Sequence, residues 1–193
     1  MNKIEKKTHY TVEEYLALEE VSEVKQEFAE GEIFVRAGAN YRHSITTVNI
    51  VAELHNATKK RDCQTFDSDM KVWIEKADAF LYPDASVVCG DPEFLDEKKT
   101  ALKNPVLVVE VLSASTEAYD RGEKFQKYMN LPSLQEYVII SQHSPRVEVF
   151  RKDDGEWRSF RHFFGLDAIA ELKSIGVSIP LAEIYYQVQF PNP

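Results

Sequence analysis

The sequence predicts an α/β protein, a mixed sheet flanked by helices, and three observations carry that reading. The hydrophobic periodicity changes along the chain in the order helix, three strands, helix, strand. Two runs of strand length, Tyr82-Pro83-Asp84-Ala85-Ser86-Val87-Val88 and Val106-Leu107-Val108-Val109-Glu110-Val111-Leu112, are nearly continuous in apolar residues, as strands covered on both faces are. No repeat, low-complexity tract or linker interrupts the 193 residues, so one domain is expected.

The elements follow in order. Residues 1–10 are expected to be extended or disordered. Within 11–39, Thr11 to Glu19 reads as a short helix, with Thr11 as N-cap and Glu14 three residues on. Gln26 to Val35, divided by Gly31, reads as a hairpin. The core occupies 40–141. It opens with a helix from about Asn40 to Arg61, whose Ile45, Val48, Val51 and Ala52 keep helical spacing and whose Lys59, Lys60 and Arg61 suit the negative end of its dipole. Phe66 to Ile74 alternates as one half-buried strand, with Asp69 and Lys71 facing outward as a surface pair. The Asp84 strand, an acidic solvated loop at 91–97 and the Glu110 strand come next. A helix to Asn130 follows, with an Asp120–Glu123 capping box and Leu131-Pro132 as its stop, and then the strand Glu136 to Ile140. The remainder, 142–193, holds a hairpin turning at Asp153-Asp154-Gly155 and a tail with a short helix near Leu181 to Tyr186.

Composition narrows the class. An apolar fraction of 44% and a charged fraction of 28% describe a soluble globular chain. No apolar stretch approaches the roughly 20 residues that span a bilayer, and Met1 to Lys7 lacks the hydrophobic segment of a secretory signal, so no membrane association is expected. Cys63 and Cys89 are too few and too isolated for a disulfide framework or a Cys-rich zinc site, which points to a reducing cytoplasm. The net charge of −9 argues against nonspecific coating of nucleic acid, because that depends on phosphate neutralisation by Lys and Arg. A local basic groove, or one assembled in a dimer, remains compatible with it. There is no phosphate-binding glycine loop, dinucleotide fingerprint, His-Glu-x-x-His or Gly-x-Ser-x-Gly.

The anomaly is acidic. Glu110 interrupts a run of Val and Leu, and Asp84 opens a neighbouring strand just after Pro83. An ionised carboxylate in such a setting costs several kcal/mol unless it is paired, protonated or metal-bound. Two of them on adjacent strands point to a divalent cation, Mg²⁺ or Mn²⁺, held by oxygen donors. The bland readings stand beside this one: a turn cap for Asp84, a buried ion pair for Glu110, a solvated helix lysine for Lys124 and a hairpin-edge charge for Glu27.

A longer signature carries a resemblance. Pro83-Asp84, Val109-Glu110-Val111-Leu112-Ser113-Ala114-Ser115-Thr116, Asp120-Arg121-Gly122-Glu123-Lys124, Tyr128, Leu131-Pro132-Ser133 and Glu136-Tyr137 match a bacterial family of restriction-endonuclease-like proteins. Glu27 to Gly31 and His43-Ser44 match its upstream pattern. The family is Uma-type, formerly a domain of unknown function, within the PD-(D/E)XK nuclease superfamily. The resemblance implies a restriction-endonuclease-like α-β-β-β-α-β core, with the N-terminal helix-hairpin and C-terminal hairpin as additions. It also implies a Mg²⁺-dependent endonuclease acting on DNA, and a homodimer.

In that reading Asp84, Glu110 and the Val111 carbonyl bind metal, and Glu27 is a further ligand or a partner of metal-bound water. The superfamily's acid-x-Lys pattern places a lysine two residues after the acid; here that position is Leu112. The resemblance implies that the lysine has moved to the following helix, with Lys124 the first candidate and Lys127 the second. Lys124 shares a helical face with Arg121 and Tyr128. Tyr128 is expected in the core or as a supporting hydrogen bond behind the ligands. His43 is expected to bond a backbone carbonyl at its helix start, or else to reach the pocket or a phosphate. Two competing functions are a nuclease fold that binds nucleic acid or regulates without cutting, and an assembly protein using its apolar strands and C-terminal hairpin.

Overall fold

The structure is a computed structural model and describes residues 9–36 and 38–190. The expectation for the N-terminal arm lies outside the described residues as far as residue 8. Helix α1 (Val12–Glu20) starts at Thr11, whose hydroxyl accepts from the Glu14 amide at 3.3 Å while the Glu14 carboxylate accepts from the Thr11 amide at 2.9 Å. This is the capping box the sequence predicts. Strands β1 (Gln26–Ala29) and β2 (Glu32–Val35) form the hairpin. Its two turn residues, Glu30 and Gly31, both take positive φ, 50° and 85°. A Cβ at Gly31 would lie 2.0 Å from the His9 imidazole, so glycine also admits that ring.

Helix α2 (Tyr41–Thr58) is capped by Asn40, which accepts from the His43 amide at 3.0 Å. Its buried row is Thr46, Ile50, Leu54 and Thr58, a ridge of residues four apart. The expected face, which included Val48, is therefore corrected: Val48 is exposed. Threonine is tolerated in the ridge because the Thr58 hydroxyl donates to the Leu54 carbonyl at 2.8 Å.

The expected strand Phe66 to Ile74 is two strands in two sheets. β3 (Cys63–Asp67) and β4 (Lys71–Ile74) are separated by a turn in which Asp67 accepts from the Asp69 amide at 3.0 Å. Lys71 is not on a surface: it is buried against Glu19, and Asp69 pairs with Lys25 instead. Next come β5 (Ala79–Leu81), β6 (Ala85–Cys89), β7 (Ala101–Leu102) and β8 (Leu107–Leu112).

The helix expected up to Asn130 breaks at Gly122 into α3 (Glu117–Arg121) and α4 (Glu123–Tyr128). No capping box forms there, because Asp120 lies within α3 and is buried. β9 (Glu136–Ser141), β10 (Arg146–Asp153) and β11 (Glu156–Phe164) complete the central sheet, the last two joined at Asp154-Gly155 as predicted. The tail holds a hairpin that the sequence reading passed over, β12 (Ile169–Leu172) and β13 (Val177–Pro180), before α5 (Leu181–Ile184).

The six-stranded sheet has the order β11-β10-β9-β8-β6-β3, with β8 parallel to β9 and its other neighbours antiparallel. A five-stranded sheet, β2-β1-β5-β4-β7, stands beside it. The succession α2, β3, β6, β8, α3–α4, β9 is the predicted α-β-β-β-α-β core, with β4, β5 and β7 diverted into the second sheet.

The central sheet is covered on both faces. Val109, Val111, Val138 and Ile140 belong to the cluster that includes Ile50 and Leu54 of α2 and Leu181 and Ile184 of α5. Val108, Leu112, Tyr137 and Ile139 belong to the cluster that includes Tyr128 of α4. This is why the Asp84 and Glu110 strands read as continuous apolar runs.

Cys63 and Cys89 face each other across β3 and β6 and form a disulfide. The expectation of a reducing compartment rested on isolated cysteines, and that support is gone. No helix among the described residues is long and apolar enough to cross a membrane.

Candidate active site

Asp84 and Glu110 flank the paired residues Ala85 and Val109 of β6 and β8, so adjacent strands bring them to one end of the sheet. The Asp84 amide extends the pairing by donating to the Val109 carbonyl at 3.0 Å, and Pro83 before it keeps the backbone extended. Both Asp84 oxygens are engaged. Oδ2 accepts from the Val111 amide at 2.7 Å and lies 3.3 Å from His43 Nε2, and Oδ1 accepts from Arg36 Nη2 at 2.6 Å. Burial opposes ionisation of Asp84, but the His43 bond and the charges of Arg36 and Lys124 outweigh it and hold the carboxyl below its usual range.

Glu110 points to the α4 side of the sheet, where Lys124 enters from the first turn of α4. The Lys124 ammonium lies 2.9 Å from Glu110 Oε1 and 3.1 Å from Glu27 Oε1, donates to the Tyr82 carbonyl at 3.1 Å, and sits 3.9 Å from Asp120 Oδ1. Glu27 is fixed in turn by the Tyr82 amide at 2.9 Å. Burial penalises the ammonium, but Glu110 and Glu27 more than compensate, and the Lys124 pKa rises. Burial drives the Glu110 carboxyl well above its ordinary value against the pull of Lys124, with Asp120 and Asp84 adding to the rise. Glu110 Oε1 meets the ion-pair distance to Lys124 but makes no hydrogen bond of good geometry. Four carboxylates, Glu27, Asp84, Glu110 and Asp120, thus face two fixed cations, Arg36 and Lys124, and Glu110 is the carboxyl whose ionisation burial and its acidic neighbours oppose.

Of the residues nominated from the sequence, the structure gathers Glu27, His43, Asp84, Glu110 and Lys124. Lys127 is half-buried on α4, and it is Lys124 that comes within ion-pair range of the carboxylates. Val111 enters through its amide. His43 reaches the Asp84 carboxylate, not a backbone carbonyl. Tyr128 lies fully buried in the cluster behind, and its hydroxyl has no hydrogen-bond partner among the described residues. The sequence reading missed Arg36, which also donates to the Tyr82 carbonyl at 2.8 Å, and it mistook Asp120 for a cap. A lone arginine following the apolar strand Ile33-Phe34-Val35 was the available signal for Arg36.

The donor set is hard oxygen with a surplus of negative charge, and Glu110 Oε1 is buried without a hydrogen bond. Among the described residues, no three His, Cys, Asp or Glu side chains converge as a metal cage. A closed, four-coordinate zinc site therefore does not fit. Mg²⁺ does, since it keeps several waters and takes one or two carboxylates.

A family model described as "Putative restriction endonuclease" (Uma2) matches residues 12–182. The chain belongs to this family. Two proteins of Synechocystis sp. strain PCC 6803 resemble it, both named as uncharacterized: slr1290, 40% identical over 92% of this chain and 92% of its own length, and sll1609, 40% identical over 76% and 84%. Among solved structures, a chain from Anabaena variabilis ATCC 29413, described as "a putative nuclease belonging to DUF820", superposes with a TM-score of 0.76 at 19% identity. That match covers 93% of this chain and 99% of the other, and it shows a shared fold.

Proposed function

We propose that this Uma2-family chain is a nuclease, dependent on Mg²⁺ or Mn²⁺ and acting on DNA phosphodiesters. The observation that carries the reading is the buried pair Asp84 and Glu110 on adjacent strands with the Lys124 ammonium 2.9 Å from Glu110. Asp84 and Glu110 would hold the ion, which supplies an activated water and screens charge on the departing oxygen. The chain's own contribution is electrostatic and positional. Lys124, kept charged by Glu110 and Glu27, offers a donor to a non-bridging phosphate oxygen. Arg36, His43 and the Val111 amide hold Asp84 ionised and oriented. In the overall reaction the water oxygen bonds to phosphorus, one ester P–O bond breaks, and the departing oxygen gains a proton.

Cleavage of supercoiled plasmid in Mg²⁺ or Mn²⁺ tests this. The wild type should cut, EDTA should stop it, and Glu110→Ala, Asp84→Ala and Lys124→Ala should each reduce the rate by about 100-fold or more. Equal rates in wild type and Glu110→Ala would overturn the site. One observation favours a second reading, a fold that binds nucleic acid without cutting it: Leu112 is buried core where the superfamily pattern has lysine. That reading predicts metal-independent binding and no cleavage.

A further inference from the structure

The face of the central sheet that bears Glu110 continues to its far edge. Paired residues in a sheet point to the same face, and the pairs Glu110–Ile139, Ile139–Glu148 and Glu148–His162 lie in one row across β8, β9, β10 and β11. Rows on either side bring Phe160 opposite Phe150 and Phe164 opposite Arg146. β11 therefore presents Phe160, His162 and Phe164 on the same face as the acid cluster, three interstrand steps or roughly 14 Å from β8.

These rings are not core. Phe160 is 43% exposed and Phe164 60%, whereas Phe150 next to them is packed on Phe125 of α4. They are nonetheless ordered against one another: His162 lies 4.0 Å from Phe160, edge to face, and 5.6 Å from Phe164, within 5° of parallel. Phe160 also packs on Phe150 at 4.4 Å, so the surface that Phe160 and Phe164 offer to a ligand is the part left exposed beyond these contacts. Between this stripe and the acids stand Arg121 and Arg146. Both converge on the buried Glu148, at 2.6 and 3.3 Å, and Arg146 Nε makes no hydrogen bond of good geometry there. Exposed aromatic rings flanked by guanidinium groups at the edge of a sheet suit unpaired bases and their phosphates. The β10–β11 hairpin, 146–164, carries five Arg and Lys against four Asp and Glu in a chain of net charge −9, so this edge repels a polyanion less than the rest of the chain does.

We propose that Phe160, His162 and Phe164 form a stacking platform for unpaired bases, so that the preferred substrate of the neighbouring acid cluster is a single-stranded polynucleotide. The proposal rests on the nuclease reading for its consequence in catalysis, but its binding step stands apart from cleavage. The test is fluorescence anisotropy in EDTA with labelled oligothymidylate roughly 16 nucleotides long, against the same strand annealed to its complement. The wild type should bind the single strand more tightly than the duplex. Phe160→Ala and Phe164→Ala should each weaken single-strand binding roughly 5- to 100-fold and leave duplex binding unchanged. Phe160→Leu, which keeps the apolar bulk and loses the ring, should weaken it in the same direction, with thermal melting confirming that each variant folds.

Equal affinity of wild type and both alanine variants for the single strand would overturn the platform, as would tighter binding of the duplex by the wild type. Should sedimentation show a dimer that Phe160→Ala dissociates while oligothymidylate affinity holds, the stripe belongs to a second copy and the proposal falls. Failure to cleave plasmid and single-stranded oligonucleotide alike in Mg²⁺ or Mn²⁺, with intact, ring-dependent oligothymidylate binding, would sink the nuclease reading and leave the platform standing.

Discussion

Arg36 and Lys124 divide the neutralisation of the acid cluster unequally. Arg36 serves one carboxylate through a single short bond to Asp84, and Lys124 lies among three, Glu110, Glu27 and Asp120. Without Arg36, Asp84 would keep the Val111 amide and His43 but lose the only fixed cation in contact with it among the described residues. Breaking a buried pair from one side leaves an uncompensated charge, so Arg36→Met should destabilise the metal-free protein by about 3 kcal/mol, read from urea unfolding in EDTA. A loss below about 1 kcal/mol would mean that solvent, and not Arg36, compensates Asp84. Asp84, Glu110 and Lys124 were legible in the sequence because two of them break apolar runs and the third falls in a motif. Arg36 was not, since nothing in Phe34-Val35-Arg36 says that this strand's end faces a carboxylate nearly fifty residues ahead. Asp120 was misread for a local reason: an acid ahead of Glu123 imitates a cap when Gly122 breaks the helix.

Among the elements, existence and type were mostly legible and partnership was not. Period-two alternation runs through Phe66 to Ile74, but the Asp67 turn sends its halves into different sheets. The same alternation, with Ala170, Leu172, Val177 and Ile179 buried, marks β12 and β13 and was there to be read. What could not be read is that Glu136 fixes this hairpin from another sheet, accepting from the Lys173 and Ser174 amides at 2.9 and 3.0 Å. A second long-range tie joins α3 to β10: Arg121 grips Glu148 through two bonds of 2.9 and 2.6 Å. Burial raises the Glu148 pKa, but Arg121, Arg146 and His162 outweigh it and the folded value is lowered. A lowered carboxyl stabilises the fold above its unfolded pKa of about 4.3 and loses that contribution as pH falls through the folded value. Glu148→Gln should therefore lower stability by about 2 kcal/mol at neutral pH, with the gap to wild type narrowing below about pH 4. Urea midpoints at the two pH values check this, and a gap that widens in acid would show that the charge of Glu148 does not stabilise the fold.

Across the whole molecule, the central sheet separates chemistry from anchorage along the same strand. Asp84 stands just before β6 and Cys89 ends it, so the acid cluster and the disulfide lie at opposite ends of one five-residue strand. The disulfide joins β6 to β3, the edge strand farthest from β11, and closes a loop with a sequence separation of 26 residues. That loop contains β4 and β5, which leave for the second sheet and return, so the bond ties the start and end of the excursion that links the two sheets. Loop-closure entropy for a separation of this size gives a stabilisation of about 3.5 kcal/mol in the unfolded-state account. Reduction should lower the urea unfolding free energy by about that amount, Cys89→Ala should reproduce the loss, and reductant should then have no further effect on the variant. Because the cluster is held by Arg36, Lys124 and the β6–β8 pairing, plasmid cleavage at low temperature and without denaturant should survive reductant unchanged. Thiol titration of native protein decides the premise. No reactive thiol before reduction and two after it support the bond, and two free thiols in oxidised, folded protein would refute it.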